Sequence, residues 1–257
     1  MNPSNLFDLT GKVALVNGAS RGIGAEIARL LVAHGAHVIV TSRRRDDCQR
    51  IADEIALASG GSAEAAACHI GDQAQIEALY DSILKRHGRL DILVNNAATN
   101  PYFGPIEDTS VEAFQKTIDV NIRGYFFMST LAAKLMKENQ DGSIINVASV
   151  NGVIPGHHQG IYSITKAAII SMTKAFAAEL AQKGVRCNAL LPGFTDTKFT
   201  AALKDSPEVL GSLLAHVPMR RAAQPSEMAG AVLYLASAAS SYTTGAILNV
   251  DGGYLCA

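Results

Sequence analysis

Short aliphatic and β-branched runs recur along the chain, separated by longer stretches whose apolar positions fall at helical spacing. The runs at 13–16, 37–40, 65–68, 92–94, 144–147, 185–190 and 247–250 are apolar almost throughout instead of alternating, the pattern of parallel strands covered on both faces. Helical spacing is seen at 23–34, 46–59, 73–87, 110–137, 160–183 and 225–237. Strands and helices in strict alternation, joined by right-handed crossovers, predict a doubly wound α/β sheet. No linker or internal repeat divides the sequence, so one domain over residues 1–257 is expected. Residues 195–222, with scattered Pro, Gly and Ser, read as an excursion from the sheet that would form a substrate lid.

Composition narrows the function. The chain has 257 residues, 48% of them hydrophobic, enough for a sizeable core. Its 22 basic and 23 acidic residues nearly cancel, which argues against nucleic acid or an anionic membrane as partner. Cys48, Cys68, Cys187 and Cys256 show no Cys-x-x-Cys spacing and no His at metal-ligand intervals. They read as free thiols of a reducing compartment, with no metal site expected. Residues 1–8 lack a signal-peptide pattern, and no run approaches 18 apolar residues, so the expected location is cytoplasmic.

Two places carry chemistry. Asn17-Gly18-Ala19-Ser20-Arg21-Gly22-Ile23-Gly24 follows the first strand and opens a helix. Glycines there allow a tight turn and bring backbone N–H groups to a pyrophosphate at the helix N-terminus. The second strand runs out through Ser42, Arg43, Arg44 and Arg45, where an NAD site would place a carboxylate for the ribose 2′-hydroxyl. Ser42 and Arg43, with Arg21, would hold a 2′-phosphate by charge-assisted hydrogen bonds, so NADP(H) is preferred to NAD(H). Further along, Tyr162 and Lys166 stand i,i+4 on one helix face, with Ser149 thirteen positions earlier. An ammonium beside a phenol favours the phenolate, so the Tyr162 pKa is expected to fall from about 10 toward working pH.

With these pieces together the chain resembles the classical short-chain dehydrogenase/reductase family from about Leu9 to Tyr254. The loop Asn17-Gly18-x-x-x-Gly22-x-Gly24 is similar to the family's cofactor loop, with Asn17 where Thr is usual. Asn95-Asn96-Ala97-Ala98 resembles its Asn-Asn-Ala-Gly, and Asn121, Ser149, Tyr162 and Lys166 match its catalytic positions. Pro192-Gly193-x-Thr195-x-Thr197 resembles the segment that grips the nicotinamide carboxamide. His69 stands where the family usually has an Asp contacting adenine. The resemblance implies a Rossmann-type, seven-stranded parallel sheet with helices on both faces. It implies hydride transfer between NADP(H) and a carbonyl or secondary alcohol, with Tyr162 as general acid or base and Lys166 lowering its pKa. Ser149 would hold the substrate oxygen, and Asn121 would anchor a water leading to Lys166. The implied cofactor contacts are Gly18, Ser20, Arg21, Gly22, Ile23, Gly24, Ser42, Arg43, His69, Ile70, Asn95, Ala97, Tyr162, Lys166, Pro192, Gly193, Thr195 and Thr197.

Substrate is less legible. Tyr102, Phe103, Val153, Ile154, Phe194, Phe199 and Leu203 would line an apolar pocket, with His157, His158 and Gln159 either orienting a hydroxyl or facing solvent. The chain resembles both carbonyl reductases and 3-oxoacyl-carrier-protein reductases. Phe127 and Ala178 occupy positions where the latter carry carrier-docking arginines, which counts against that partner. The reading is a broad ketone or aldehyde reductase, with a 3-oxoacyl-thioester reductase or sugar/polyol dehydrogenase as alternatives. A non-catalytic NADP(H)-binding sensor or scaffold is the alternative of another class. Surplus apolar positions on 110–137 and 160–183, and the 250–254 end, resemble the family's homotetramer contacts.

Overall fold

The computed structural model describes residues 6–197 and 207–256. Seven parallel strands form one sheet in the order β3-β2-β1-β4-β5-β6-β7. They are β1 (Val13–Asn17), β2 (His37–Ser42), β3 (Ala63–Ala67), β4 (Ile92–Asn95), β5 (Gly142–Val147), β6 (Val185–Pro192) and β7 (Ile247–Val250). All seven apolar runs are strands. The third begins two residues earlier than the apolar run suggests, because the edge of the sheet accepts the half-buried Ala63 and Glu64.

The central strands are buried on both sides, and their residues divide between two cores. Ala14 and Val16 of β1 face α1 (Gly22–Ala33), α2 (Arg45–Ser59) and α8 (Ser226–Ala236), meeting Ile27, Leu31, Ile55 and Val232. Val13 and Leu15 face α3 (Gln73–His87), α5 (Tyr125–Asn139) and α6 (Gly160–Leu180), meeting Ile83, Tyr125, Met128 and Ile169. This is why the runs carry no polar alternation: there is no wet face for it. Asp72 caps α3, accepting from the Gln75 N–H at 3.2 Å.

The stretch at 110–137 is not one helix. Ser110 caps α4 (Val111–Ile118), a π-helical turn spans Asp119–Gly124, and α5 follows. The wider turn sits where the Asn121 side chain is pulled inward to bond other elements, the situation in which π-bulges are found. The excursion before β7 holds a further helix, α7 (Pro207–Ala215). Phe199 and Leu203, expected at the pocket, lie outside the described residues.

Strand order reverses between β1 and β4, which are neighbours with Asn17 level with Asn95. The loops leaving their C-terminal ends diverge to opposite faces, and that crevice is where doubly wound sheets bind ligands.

Candidate active site

Gly18 has φ +67°, and a Cβ there would stand 2.6 Å from the Ala97 Cα. Only glycine lets the loop after β1 lie directly on the end of β4. Asn17, beneath it, is completely buried; its Oδ1 accepts from the N–H groups of Asn96 and Ala97 at 2.9 and 2.8 Å. Its Nδ2 donates to Asn95 Oδ1 at 2.7 Å. Asn95 in turn donates to Ser129 Oγ and Asn146 Oδ1, and Asn146 to Thr173 Oγ1. A ladder of buried amides thus crosses β1, β4 and β5. Asn95, expected at the cofactor, is wholly buried, and its side chain is committed to these bonds within the sheet.

The first turn of α1 opens at the exposed Arg21, and Ser20, Gly22 and Ile23 remain half-buried along the crevice. Helix N-termini leave N–H groups unpaired, so this end favours an anion. Thr197 lies over the same turn: a Cβ on Gly22 would meet its Cγ2 at 3.6 Å. Pro192 and Gly193 complete that wall, Gly193 N–H donating to the Val250 carbonyl.

At the ends of β2 and β3 an open cavity of about 700 Å³ is lined by Arg43, His69, Gly71, Asp72, Gln73, Gln75 and Arg123. Arg44 spends its charge on Asp47 at 2.6 Å, whereas Arg43 has no carboxylate partner among the described residues. The Ser42 hydroxyl is already shared with the Arg44 carbonyl and the Cys48 thiol. His69 Nδ1 accepts from the Gly71 N–H at 3.1 Å, which puts the ring proton on Nε2. Ile70 is buried in the core beneath, and little of it reaches the cavity. Arg123, on the π turn, escaped the sequence reading; in a long amphipathic stretch it reads as an ordinary solvated charge.

Ser149, Tyr162, Lys166 and Asn121 converge at the ends of β5 and α6. Gly152 sets the approach: a Cβ there would stand 2.7 Å from the Lys166 backbone carbon, so the turn after Ser149 packs flat on α6. The Tyr162 phenol is hydrogen-bonded to the Ser149 hydroxyl. Lys166, 1% exposed, places Nζ 5.4 Å from the centre of the Tyr162 ring and donates to the Val147 carbonyl at 2.9 Å. Asn121 is fully buried, donating to the Thr99 carbonyl and Thr165 Oγ1, each at 3.0 Å, and accepting from the Thr99 N–H at 2.9 Å.

The sign of the Tyr162 shift is the reverse of the expectation. Burial holds the phenol above its ordinary pKa, and the Ser149 hydrogen bond works against that. Burial also pushes the Lys166 amine down to about 7, so near neutral pH it is only partly charged. Spacing on a helix reveals that the two groups are neighbours; it does not reveal how dry the site is.

A family model described as enoyl-(acyl carrier protein) reductase matches residues 18–255. The chain belongs to the short-chain dehydrogenase/reductase family. It is 36% identical over 245 residues to human dehydrogenase/reductase SDR family member 4, covering 95% of this chain and 88% of that one. A gluconate 5-dehydrogenase from Burkholderia cenocepacia, solved with NADP and tartrate, superposes with a TM-score of 0.94 at 33% identity, covering 98% of each chain. A putative NAD(P)-dependent gluconate 5-dehydrogenase from Beutenbergia cavernae, solved with NADP, gives 0.94 at 36% identity over 98% of this chain and 100% of that one. The protein is therefore an NAD(P)-dependent oxidoreductase acting on alcohol and carbonyl groups.

On the open side of this dehydrogenase's cleft, His157 and His158 stack at 3.8 Å and Phe103 meets His158 edge-on at 5.9 Å. Both histidines are exposed. A second cavity, of about 490 Å³, is lined by Ile154, Ala215, His216, Pro218, Arg220 and Tyr254. Among the described residues no helix is long and apolar enough to cross a membrane.

Proposed function

We propose that the protein is an NADP(H)-dependent reductase of ketones or aldehydes, working reversibly on the corresponding alcohols. The reading is carried by the hydrogen bond between Ser149 and Tyr162 over a buried Lys166. The residues present fit a dinucleotide: the Gly18 turn leaves no room for a side chain, and the cavity beside Arg43 and Arg123 suits a phosphate. When bound, that cofactor supplies or accepts the hydride. Tyr162 gives its proton to the substrate oxygen in reduction and takes it back in oxidation; its raised pKa keeps the acid form loaded at neutral pH. The Ser149 hydroxyl holds the same oxygen and stabilises charge as it develops. Lys166 supplies positive charge beneath the phenol. Asn121 braces α6, and because three of its hydrogen bonds are internal, a water toward Lys166 would rest on its remaining lone pair or its main-chain carbonyl.

A second reading, a sugar-acid dehydrogenase, is favoured by one observation. Arg220 borders the cavity lined by Ile154 and His216, a cation suited to a carboxylate. Gluconate dehydrogenases among the similar structures agree with it. Ketones, aldehydes, 3-oxoacyl thioesters and sugar acids, assayed by nicotinamide absorbance with NADPH and NADH, separate these readings. The Tyr162→Phe variant should lose turnover yet keep NADPH binding; activity within about tenfold of wild type would remove Tyr162 from the chemistry.

Assembly as a homotetramer is part of the proposal. Phe126 on α5 and Ile164 on α6 are 45% and 53% exposed, and Phe126 meets Phe176 edge-on at 5.4 Å, an apolar face shared by the two helices. A monomer by light scattering would overturn it.

A further inference from the structure

We propose that His37, Glu64 and His87 form a divalent-metal site, best suited to zinc, at the end of the sheet opposite the catalytic cleft. His37 is the first residue of β2, Glu64 the second of β3, and His87 the last of α3, so residues far apart in sequence are brought together by topology alone. One ligand atom from each lies within 4.8 Å of the others. His87 Nε2 is 2.9 Å from Glu64 Oε1, and His37 Nε2 is 3.9 Å from the same oxygen. Ligands about 2.0–2.1 Å from a tetrahedral zinc stand roughly 3.3 Å apart, so closing the site takes side-chain movements of about 1 Å.

The decisive observation is the His37 ring. Its Nδ1 meets the Ser62 hydroxyl at 2.6 Å, while Nε2 is buried with no hydrogen-bond partner and faces the cluster. If Nδ1–H donates to Ser62, Nε2 presents a lone pair that nothing in the fold satisfies. That is how a metal-binding imidazole is held, with the outer nitrogen fixing tautomer and orientation. Arg86 holds the other carboxylate oxygen at 2.7 Å, aiming Oε1 at the two rings while drawing off part of the negative charge. Two imidazoles and one carboxylate suit zinc, with water in the fourth position.

The role that follows is structural. The ion would clamp the starts of β2 and β3 to the end of α3, about 17 Å along β2 from Ser42.

The test uses the untagged full chain, stripped with chelator and titrated with zinc chloride by calorimetry. The expected result is one equivalent per chain and a rise in Tm with zinc. His37→Gln and His87→Gln should each weaken binding at least tenfold and lose the Tm rise, yet turn over NADPH at the wild-type rate, which shows that they fold. The exposed pair His157 and His158 is the control, and a double Gln variant there should bind zinc as wild type does. Absence of saturable binding by the wild type would overturn the proposal. So would undiminished binding by His37→Gln and His87→Gln, or loss confined to the double variant.

Discussion

Asn121 Nδ2 donates to Thr165 Oγ1 at 3.0 Å, tying the π turn before α5 to the helix residue next to Lys166. Thr165 passes the restraint on, its hydroxyl donating to the Tyr162 carbonyl at 2.7 Å. The backbone that carries the acid and the amine is therefore held from the side by a single amide. Asn121→Ala removes that amide and leaves the half-buried Thr99 N–H and carbonyl without their partner. The full penalty for a buried unsatisfied group is about 1–3 kcal/mol, and water can reach part of a half-buried one, so the variant should lose about 1–2 kcal/mol of stability in denaturant melts. It should also lower kcat at least tenfold below the melting range. Full kcat in a destabilised variant would show Asn121 to be a brace with no part in turnover.

A pH profile follows from the two buried ionisations. Tyr162 is shifted upward by burial and stays protonated through the neutral range, while Lys166, shifted down to about 7, loses its proton there. The phenolate left after proton donation is stabilised by the Ser149 hydrogen bond and, while it is charged, by that amine. For reduction, kcat/KM, which reports the free enzyme's ionisations, should be highest below about 7 and fall as pH rises through it. A profile flat from about pH 5.5 to about pH 9 would show that the amine's charge does not govern the step.

How much of this the sequence made legible depends on the physics involved. Continuous apolar runs announced the strands at the centre of the sheet because β1, β4 and β5 bury both faces, while β3 and β7 at its edges are only partly buried. The spacing of Tyr162 and Lys166 gave their adjacency. Dryness was hidden, since it is set by Tyr125, Val147 and the turn at Gly152, none near the pair in sequence. The π turn was hidden too: it coincides with bonds from Asn121 to Thr99 and Thr165, residues distant in sequence. The amide ladder did leave a trace: Asn17 and Asn95 end their strands and Asn146 stands one before the end of β5, polar residues in otherwise apolar runs. With a cofactor loop adjacent, Asn95 reads from sequence as a ligand contact, and its role as a tie between strands shows only in the structure.

Lys166 should cost the fold stability. Its pKa is lowered by burial, so between about 7 and the ordinary value of 10.5 the unfolded chain binds more protons than the folded one. The penalty is fully present below about 7 and fades as pH rises toward 10.5. Val147, whose carbonyl Lys166 bonds, also accepts from the Tyr125 hydroxyl at 3.1 Å and would keep a partner without the lysine. Lys166→Met should therefore be inactive yet more stable by at least about 1 kcal/mol near pH 6, the gain shrinking near pH 10. Denaturant melts at the two pH values decide it; a variant less stable at the lower one would mean that the amine's contacts outweigh its burial.

Cofactor choice is predicted to rest on Arg43. Arg44 is engaged by Asp47 and the Ser42 hydroxyl is turned toward α2, whereas Arg43 lines the cavity and has no carboxylate partner among the described residues, so it is the cation placed to meet a 2′-phosphate. Arg123 borders the same cavity but is itself paired with Asp119 at 3.2 Å and bonded to the Gly71 carbonyl, so it contributes less. Loss of a charge-assisted contact costs about 1.5–3 kcal/mol. Arg43→Ser should thus cut kcat/KM for NADPH by roughly 10- to 150-fold while changing that for NADH little. Arg123→Ser should shift the same ratio by less than about tenfold. An equal fall for both cofactors in Arg43→Ser would assign the residue to the adenine or to loop stability, and the phosphate would have to be held elsewhere.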